Sequence, residues 1–130
     1  MHTQQDALEI LDEAMERVKG IFGEALINGY LYGSYARGDY DEESDVDILL
    51  TVDLSDEEIH KQCKAIVKLD SDLSLEHDIT VYVTVKSYEQ FIRFVEVSSF
   101  YKNVIDEGIK RCGANCEVLK ERKAKYQREK

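Results

Sequence analysis

The residues best suited to chemistry lie in one short stretch of the chain. Gly33 and Ser34 form a Gly-Ser pair, and ten residues separate that pair from Asp45 and Asp47. The aspartates open an apolar run that predicts a buried strand, in which side chains at i and i+2 point to the same face. Two carboxylates side by side repel each other unless a cation lies between them. We therefore predict that Asp45 and Asp47 bind Mg²⁺, which takes carboxylate oxygens together with water and phosphates.

The Gly-Ser pair is suited to binding phosphate. Residues 25–32 before it read as a strand, and residues 35–37 after it read as the first turn of a short helix. A strand-to-helix turn at Gly33 presents free backbone N–H groups, and the helix N-terminus favours an anion. Ser34 adds a hydroxyl donor for a phosphate, and it could cap the helix as well. A triphosphate on this turn would reach a metal ion held by the aspartates. The Gly-Ser turn and the aspartate pair therefore predict a single site.

The same residues carry a resemblance to a known family. Gly33-Ser34, ten residues, and then Asp45-Val46-Asp47 resembles the signature of the minimal nucleotidyltransferase domains, small members of the DNA polymerase β-like nucleotidyltransferase superfamily. The motif lies in residues 33–50, and with the flanking helices the resemblance covers residues 1–110. It implies an α/β (α+β) fold with a small mixed sheet and helices mainly on one face. It also implies two Mg²⁺ ions, ATP as co-substrate, and transfer of AMP to a hydroxyl.

The resemblance also assigns residues to roles. The family uses a third carboxylate from a neighbouring strand, and residues 77–85 read as such a strand with Asp78 at its start. The catalytic and metal-binding residues implied are Asp45, Asp47 and Asp78, and the nucleotide-binding residues implied are Gly33, Ser34 and Arg37. Two roles stay open. Asp78 could be a strand-end carboxylate without chemistry, in which case Asp41 or Glu43 comes next, and Arg37 could pair with the acidic residues 39–43 instead of a phosphate.

The resemblance suggests a partner as well. Many members of this type are antitoxins, encoded beside a toxin of the HEPN ribonuclease family that they silence by adenylylating a tyrosine. It therefore implies a HEPN-family toxin as acceptor. Two other functions stay open: transfer to a small hydroxylated molecule such as an aminoglycoside, and an inactive module that only binds a partner. The first usually needs a further substrate-binding domain, for which 130 residues leave little room.

Composition narrows the other possibilities. The net charge of −10 argues against a nucleic-acid substrate, because affinity for a polyanion comes mostly from Lys and Arg. No apolar run is long enough to span a bilayer, and the first residues lack signal-peptide character, so we expect a cytoplasmic protein. Of three cysteines, Cys63 is predicted to be a core thiol, and Cys112 and Cys116 are predicted to stay reduced. The number of subunits stays open, a homo-oligomer included.

Periodicity predicts alternating helices and strands. The expected elements are a helix over residues 4–19 ended near Gly20, strands over 25–32, 45–52 and 77–85, one helix after the capping pattern at Ser55, another after a second such pattern at Ser87, and a last helix over 99–106. In the helix after Ser55, apolar residues from Ile59 to Val67 are expected to share one buried face. After Gly108 we expect no closing strand. The predicted domain is therefore 1–110, followed by a polar extension over 111–130 with a basic end.

Overall fold

The structure, a computed structural model, describes residues 2–113. Within them the chain forms a mixed sheet and six α-helices. The strands are β1 (Leu26–Tyr32), β2 (Val46–Val52), β3 (Val81–Ser87) and β4 (Ile109–Cys112); the helices are α1 (Gln4–Phe22), α2 (Ser34–Arg37), α3 (Asp56–His60), α4 (Cys63–His77), α5 (Tyr88–Phe94) and α6 (Ser99–Glu107). No helix among residues 2–113 combines the length and apolar character that crossing a membrane requires.

The four strands are ordered β3-β2-β1-β4. The pairs β1–β2 and β1–β4 are antiparallel, and the pair β2–β3 is parallel. A parallel pair needs a crossover connection, which α3 and α4 supply here. The mixed sheet confirms the predicted fold class, and its two central strands are the ones that bear the Gly-Ser turn and the aspartate pair.

The larger core lies on one face of the sheet. Val46, Ile48 and Leu50 of β2 are fully buried there and pack in one cluster with Leu11 of α1 and Leu73 of α4. The same cluster includes residues of α2 and α3, so four helices cover this face.

The opposite face of the sheet is covered by fewer helices and has a smaller hydrophobic cluster. Tyr30 of β1 and Leu49 of β2 form a second cluster there with Phe91 of α5 and Val104 of α6. The prediction of helices mainly on one face therefore holds for α1 to α4, while α5 and α6 lie on the other. Asp47 alternates in phase with Leu49, which places it on this less covered face.

The helical segment after Ser55 differs from its prediction. The capping box at Ser55 is present, but α3 ends at His60, and α4 starts afresh at Cys63. This break changes which side of the helix faces the sheet, so Cys63 is exposed and Val67 is 62% exposed. The predictions of one continuous helix and of a core thiol at Cys63 were therefore wrong. Leu69 and Leu73 supply the buried face instead.

Two further helix ends differ from prediction, one in its position and one in its capping. Helix α1 continues past Gly20 to Phe22 and ends at Gly23, whose φ of 63° is a conformation that glycine adopts without strain. Helix α5 begins after Ser87 as predicted, but no side-chain hydrogen bond caps it.

The absence of a closing strand was also a wrong prediction. β4 pairs with β1, with Ile109 opposite Leu31 and Cys112 opposite Asn28. Only alternate residues of β4 are partly buried, so the strand does not require an apolar run. Its backbone hydrogen bonds with β1 are what make it a strand. The predicted domain end at residue 110 thus falls inside β4. The predicted reduced state of Cys112 and Cys116 involves Cys116, which lies outside the described residues, as does the predicted extension from position 114 onward.

Candidate functional site

The Gly-Ser turn joins β1 to α2. Gly33 has φ 77°, and its carbonyl accepts the backbone N–H groups of Ala36 and Arg37, both at 3.1 Å. A Cβ atom built on Gly33 would lie 2.5 Å from Oδ2 of Asp47. Glycine is therefore required twice, for its left-handed backbone and for the close approach of a carboxylate. The predicted turn and the predicted metal ligand are in contact.

The aspartate pair lies where β2 begins. Val46 and Ile48 are fully buried, as predicted, while Asp45 and Asp47 are half-buried. Burial raises the pKa of Asp47, the negative charge of Asp45 raises it further, and only the charge of Arg37 opposes the shift. The negative charge of the two carboxylates is therefore only partly balanced by the nearby positive charge of Arg37. Two carboxylates in this condition suit a hard divalent cation such as Mg²⁺.

Arg37 is held at the edge of this site. Its Nε donates to Oδ2 of Asp39 at 3.2 Å, and its Nη1 donates to Oε2 of Glu107 at 3.4 Å. The Arg37 side chain is 42% exposed. The structure thus has the ion pair with the acidic loop that the sequence left open, and at the same time it places the positive charge near Asp47.

Asp78 does not lie where it was predicted. It is the C-cap of α4 with φ 51°, its N–H donates to the carbonyl of Ser74, and β3 begins only at Val81. The left-handed backbone at Asp78 ends the helix and delays the strand. On β3 the residue in register with Asp47 is Tyr82. Within residues 2–113, no group of three or more His, Cys, Asp or Glu side chains is arranged to hold a metal ion.

Asp78 nevertheless shares a cavity with Asp45. The cavity has a volume of ≈ 380 Å³, and its lining residues are His2, Tyr35, Glu42, Glu43, Ser44, Asp45, Asp78, Ile79 and Thr80. None of these carries a permanent positive charge. His2 lies there because its Nε2 is 2.7 Å from the carbonyl of His77, a contact that nothing in the sequence indicates.

The acidic loop that precedes Asp45 is locally ordered. The carboxylate of Asp41 accepts the N–H of Glu43 at 2.9 Å and the hydroxyl of Ser44 at 3.3 Å. Tyr35 and Tyr40 stack on each other with centroids 4.4 Å apart. Asp41 and Tyr40 therefore already have structural contacts.

Tyr32 is a neighbour of the aspartate pair that sequence reasoning missed. It is in register with Asp47 on the adjacent strand. Burial raises the pKa of Tyr32, the charge of Asp47 raises it further, and a hydrogen bond with Thr84 opposes the shift. Its ring meets that of Phe100 edge-on, with centroids 5.4 Å apart. A tyrosine that ends a strand looks structural in the sequence, so only the register identifies its position.

Two solved structures have the same fold. A crystal structure of a toxin–antitoxin with AMP-PNP aligns with a TM-score of 0.52 and 18% identity, over 91% of this chain and 87% of that one. A double-mutant toxin–antitoxin MntA–HpeT aligns with a TM-score of 0.50 and 15% identity, over 91% and 87%. At these identities the likeness concerns the fold.

The sequence comparisons concern the family. The family model described as nucleotidyltransferase domain matches residues 11–111, which include the Gly-Ser turn and both aspartates. The mixed sheet, the turn and the carboxylate pair thus define an enzyme that transfers nucleotides. Two proteins of Methanocaldococcus jannaschii, provisionally named protein adenylyltransferases, are similar to this chain. One is 41% identical over 76 residues (58% of this chain, 75% of the relative), and the other is 38% identical over 78 residues (60% and 70%). The chain belongs to the nucleotidyltransferase domain family.

Proposed function

We propose that this chain is a Mg²⁺-dependent protein adenylyltransferase that transfers AMP from ATP to a tyrosine of a HEPN-family toxin, as an antitoxin. The observation that carries this proposal is the contact between the Gly33 turn and the carboxylate of Asp47. Phosphates bound at the turn would therefore lie next to a cation bound by the aspartates. Similarity to proteins named protein adenylyltransferases supports the protein acceptor. The toxin–antitoxin complex with AMP-PNP, which shares the fold, fits the nucleotide and the kind of partner.

The residues take roles according to their positions. The backbone N–H groups of the turn and the hydroxyl of Ser34 bind the β- and γ-phosphates, and Arg37 contributes a positive charge beside them. Asp45 and Asp47 would hold Mg²⁺, and Asp78, which lines the same cavity as Asp45 without completing a three-carboxylate group, would act on the acceptor hydroxyl. When bound, the ion neutralises phosphate charge and makes the acceptor hydroxyl more acidic.

The reaction is a displacement at the α-phosphorus. The tyrosine oxygen forms a bond to that phosphorus while the bond to the β-phosphate oxygen breaks, so pyrophosphate leaves with the bonding electron pair. Asp78 takes the hydroxyl proton. Positioning by the turn and the aspartates contributes most of the acceleration, because the chemistry needs little covalent help from the protein.

Two glycine variants test the contact between the Gly33 turn and the Asp47 carboxylate. Gly33 and Gly38 both have positive φ, 77° and 91°, but only at Gly33 would a Cβ meet another residue, the Asp47 carboxylate at 2.5 Å. Gly33→Ala should lower AMP transfer by roughly 100-fold, since small misplacements of reacting groups cost about that much. Gly38→Ala carries similar backbone strain without the clash and should keep most activity. The readout is the mass gain of a purified HEPN-family toxin incubated with the chain, ATP and Mg²⁺, and equal losses in both variants would contradict the proposal.

A second function is favoured by the position of Asp78. Because it caps α4 and no three-carboxylate group forms among the described residues, a module that binds its partner without transferring AMP also fits. The distinguishing experiment is pyrophosphate release from ATP and Mg²⁺ with the purified partner. A tight complex with neither pyrophosphate release nor mass gain would favour this second function.

A further inference from the structure

Three apolar side chains remain exposed where α5 meets α6. Phe94 is 44% exposed, Val97 is 80% exposed and Phe100 is 41% exposed. They are three residues apart, on the end of α5, on the turn whose Val97 N–H donates to the carbonyl of Phe94 at 3.1 Å, and on the first turn of α6. These three residues are named the α5–α6 patch below. Exposed apolar side chains grouped on one short stretch of chain mark an interaction site more often than scattered ones do.

The patch extends to the aspartate pair. The ring of Phe100 meets the ring of Tyr32 edge-on at 5.4 Å, and Tyr32 is in register with Asp47 on the neighbouring strand. Any molecule that covers the patch therefore lies next to the site of transfer.

The other side of Asp47 is acidic. Two residues before it, Asp45 lines the cavity that Glu42, Glu43 and Asp78 also line, and no Lys or Arg is among the lining residues. Glu42 and Glu43 are exposed. Asp47 therefore lies between an apolar surface and a negatively charged one.

We propose that the α5–α6 patch and the acidic loop (residues 39–43) together form the docking surface for the protein acceptor. The partner places apolar side chains on the patch, basic side chains on the loop, and the acceptor hydroxyl between them at Asp47. This inference rests on the proposed function and adds how the substrate is selected. ATP is a poor occupant because its phosphates would meet like charge at the loop. A small polyhydroxyl acceptor is a poor occupant because it cannot cover apolar side chains spread over two helices.

Synthetic peptides and one matched pair of variants test the inference on the full chain. Two tyrosine peptides are compared, identical except that one carries Lys and the other Glu on one side of the tyrosine, with Leu on the opposite side of both. The Lys peptide should be adenylylated with a kcat/KM about tenfold higher, which corresponds to about 1.4 kcal/mol. Val97→Glu should raise KM for that peptide about tenfold and leave KM for ATP unchanged. Leu75→Glu is the control, because Leu75 is 81% exposed on α4, and it should change neither value.

Each other result has a defined meaning. Equal use of both peptides, or equal effects of the two variants, would overturn the docking surface while leaving the transferase activity intact. A rise in KM for ATP alone in Val97→Glu would make the patch a nucleobase platform, and self-association abolished by Val97→Glu would assign it to a second copy of the chain; both overturn the inference. Failure of the wild-type chain to release pyrophosphate with any acceptor would overturn the proposed function, and the inference with it.

Discussion

Asp47 experiences opposing electrostatic influences in the structure. Burial and the charge of Asp45 raise its pKa above the ordinary 3.8, and Arg37 opposes them. Because the folded chain then binds the proton more tightly than the unfolded chain, metal-free stability falls as pH rises from 3.8 through the raised pKa. Asp47→Asn should remove this pH dependence, leave the metal-free protein as stable or more stable near neutral pH, and abolish AMP transfer. Thermal melts over acidic and neutral pH, with transfer assays, are the measurement.

Asp72→Asn is the control for that experiment. Asp72 also carries one negative charge, but it lies on α4 in a surface ion pair with Lys68, at 2.9 Å. Its replacement should change neither transfer nor the pH dependence assigned to Asp47. Retained turnover in Asp47→Asn would contradict the metal assignment.

Asp78 allows nucleotide binding to be separated from chemistry. If Asp45 and Asp47 suffice to hold the nucleotide with its ion, Asp78→Ala should bind a non-hydrolysable ATP analogue almost normally. Its transfer rate should fall by about 10²–10⁴-fold, the usual contribution of a general base. Calorimetric titration beside a single-turnover assay distinguishes the two effects. Equal losses of binding and turnover would instead indicate that Asp78 binds the nucleotide or has a structural role, which its position as the C-cap of α4 permits.

Among the elements, edge strand β3 depends on α4 for hydrogen bonds. The N–H of Val83 donates to Oδ1 of Asp70 at 2.8 Å, and the N–H of Val81 donates to Oγ of Ser74 at 2.9 Å. These bonds occupy N–H groups on the outer edge of β3, where none of the strands in residues 2–113 pairs. Asp70→Ala should cost about 1–3 kcal/mol of stability, because it removes the partner of a buried N–H. Denaturant unfolding beside the nearby Asp72→Ala is the measurement, and equal stabilities would contradict it.

Helices α1 and α4 are joined by a polar cluster. Glu13 lies 2.6 Å from Nε2 of His77 and 2.6 Å from Arg17, which also contacts Glu76. Burial raises the pKa of Glu13, but the hydrogen bond with His77 and the charge of Arg17 outweigh burial, so the pKa falls below 4.5. A lowered pKa stabilises the fold above the unfolded value, and this contribution is lost as pH falls through the folded pKa.

Glu13→Gln tests that cluster. The wild-type chain should lose stability below pH 4.5 more steeply than this variant does, because the variant has no carboxylate to protonate. Glu16→Gln is the control, since Glu16 is exposed and pairs only with Lys19 on its own helix among the contacts of the described chain. Melting temperatures over the acidic range are the measurement. Parallel pH profiles for all three proteins would contradict the assigned role.

For the molecule as a whole, the net charge of −10 should make nucleotide binding depend on the metal ion. A triphosphate approaching acidic residues is repelled unless a cation accompanies it. At a concentration 100 times its Kd, MgATP should stabilise the chain by about 2.7 kcal/mol. For a domain of this size, that is a rise in melting temperature of roughly 10 °C. ATP with EDTA should give a much smaller rise, and equal rises would contradict the Mg²⁺ assignment.

Local patterns were sufficient to predict the sheet strands next to the motif. Val46 and Ile48 alternate with the aspartates, and the structure buries both as expected. Ser55 caps a helix because its capping box needs only four residues. The nucleotidyltransferase class followed from the Gly33–Asp47 motif alone, which the family match confirms.

Positions set by long-range contacts could not be predicted. β4 has no apolar signature of its own and becomes a strand only because β1 offers an open edge. Asp78 looked like a strand residue because an apolar run follows it, but its left-handed backbone ends α4 first. The roles of the predicted site residues stay predictions. The register that places Asp47 opposite Tyr32 and Tyr82 becomes visible only in three dimensions.

The pairing of β4 with β1 also has a consequence for synthesis on the ribosome. Residues 28–31 of β1 pair with residues 109–112, which are synthesised some eighty positions later in the chain. Translation proceeds at about 5–20 residues per second, so one edge of β1 stays unpaired for several seconds while the rest of the sheet can already assemble. During that interval the nascent chain carries the kind of open strand edge on which foreign strands add. Strand β4, the last of the described strands to emerge, is the one that closes this edge.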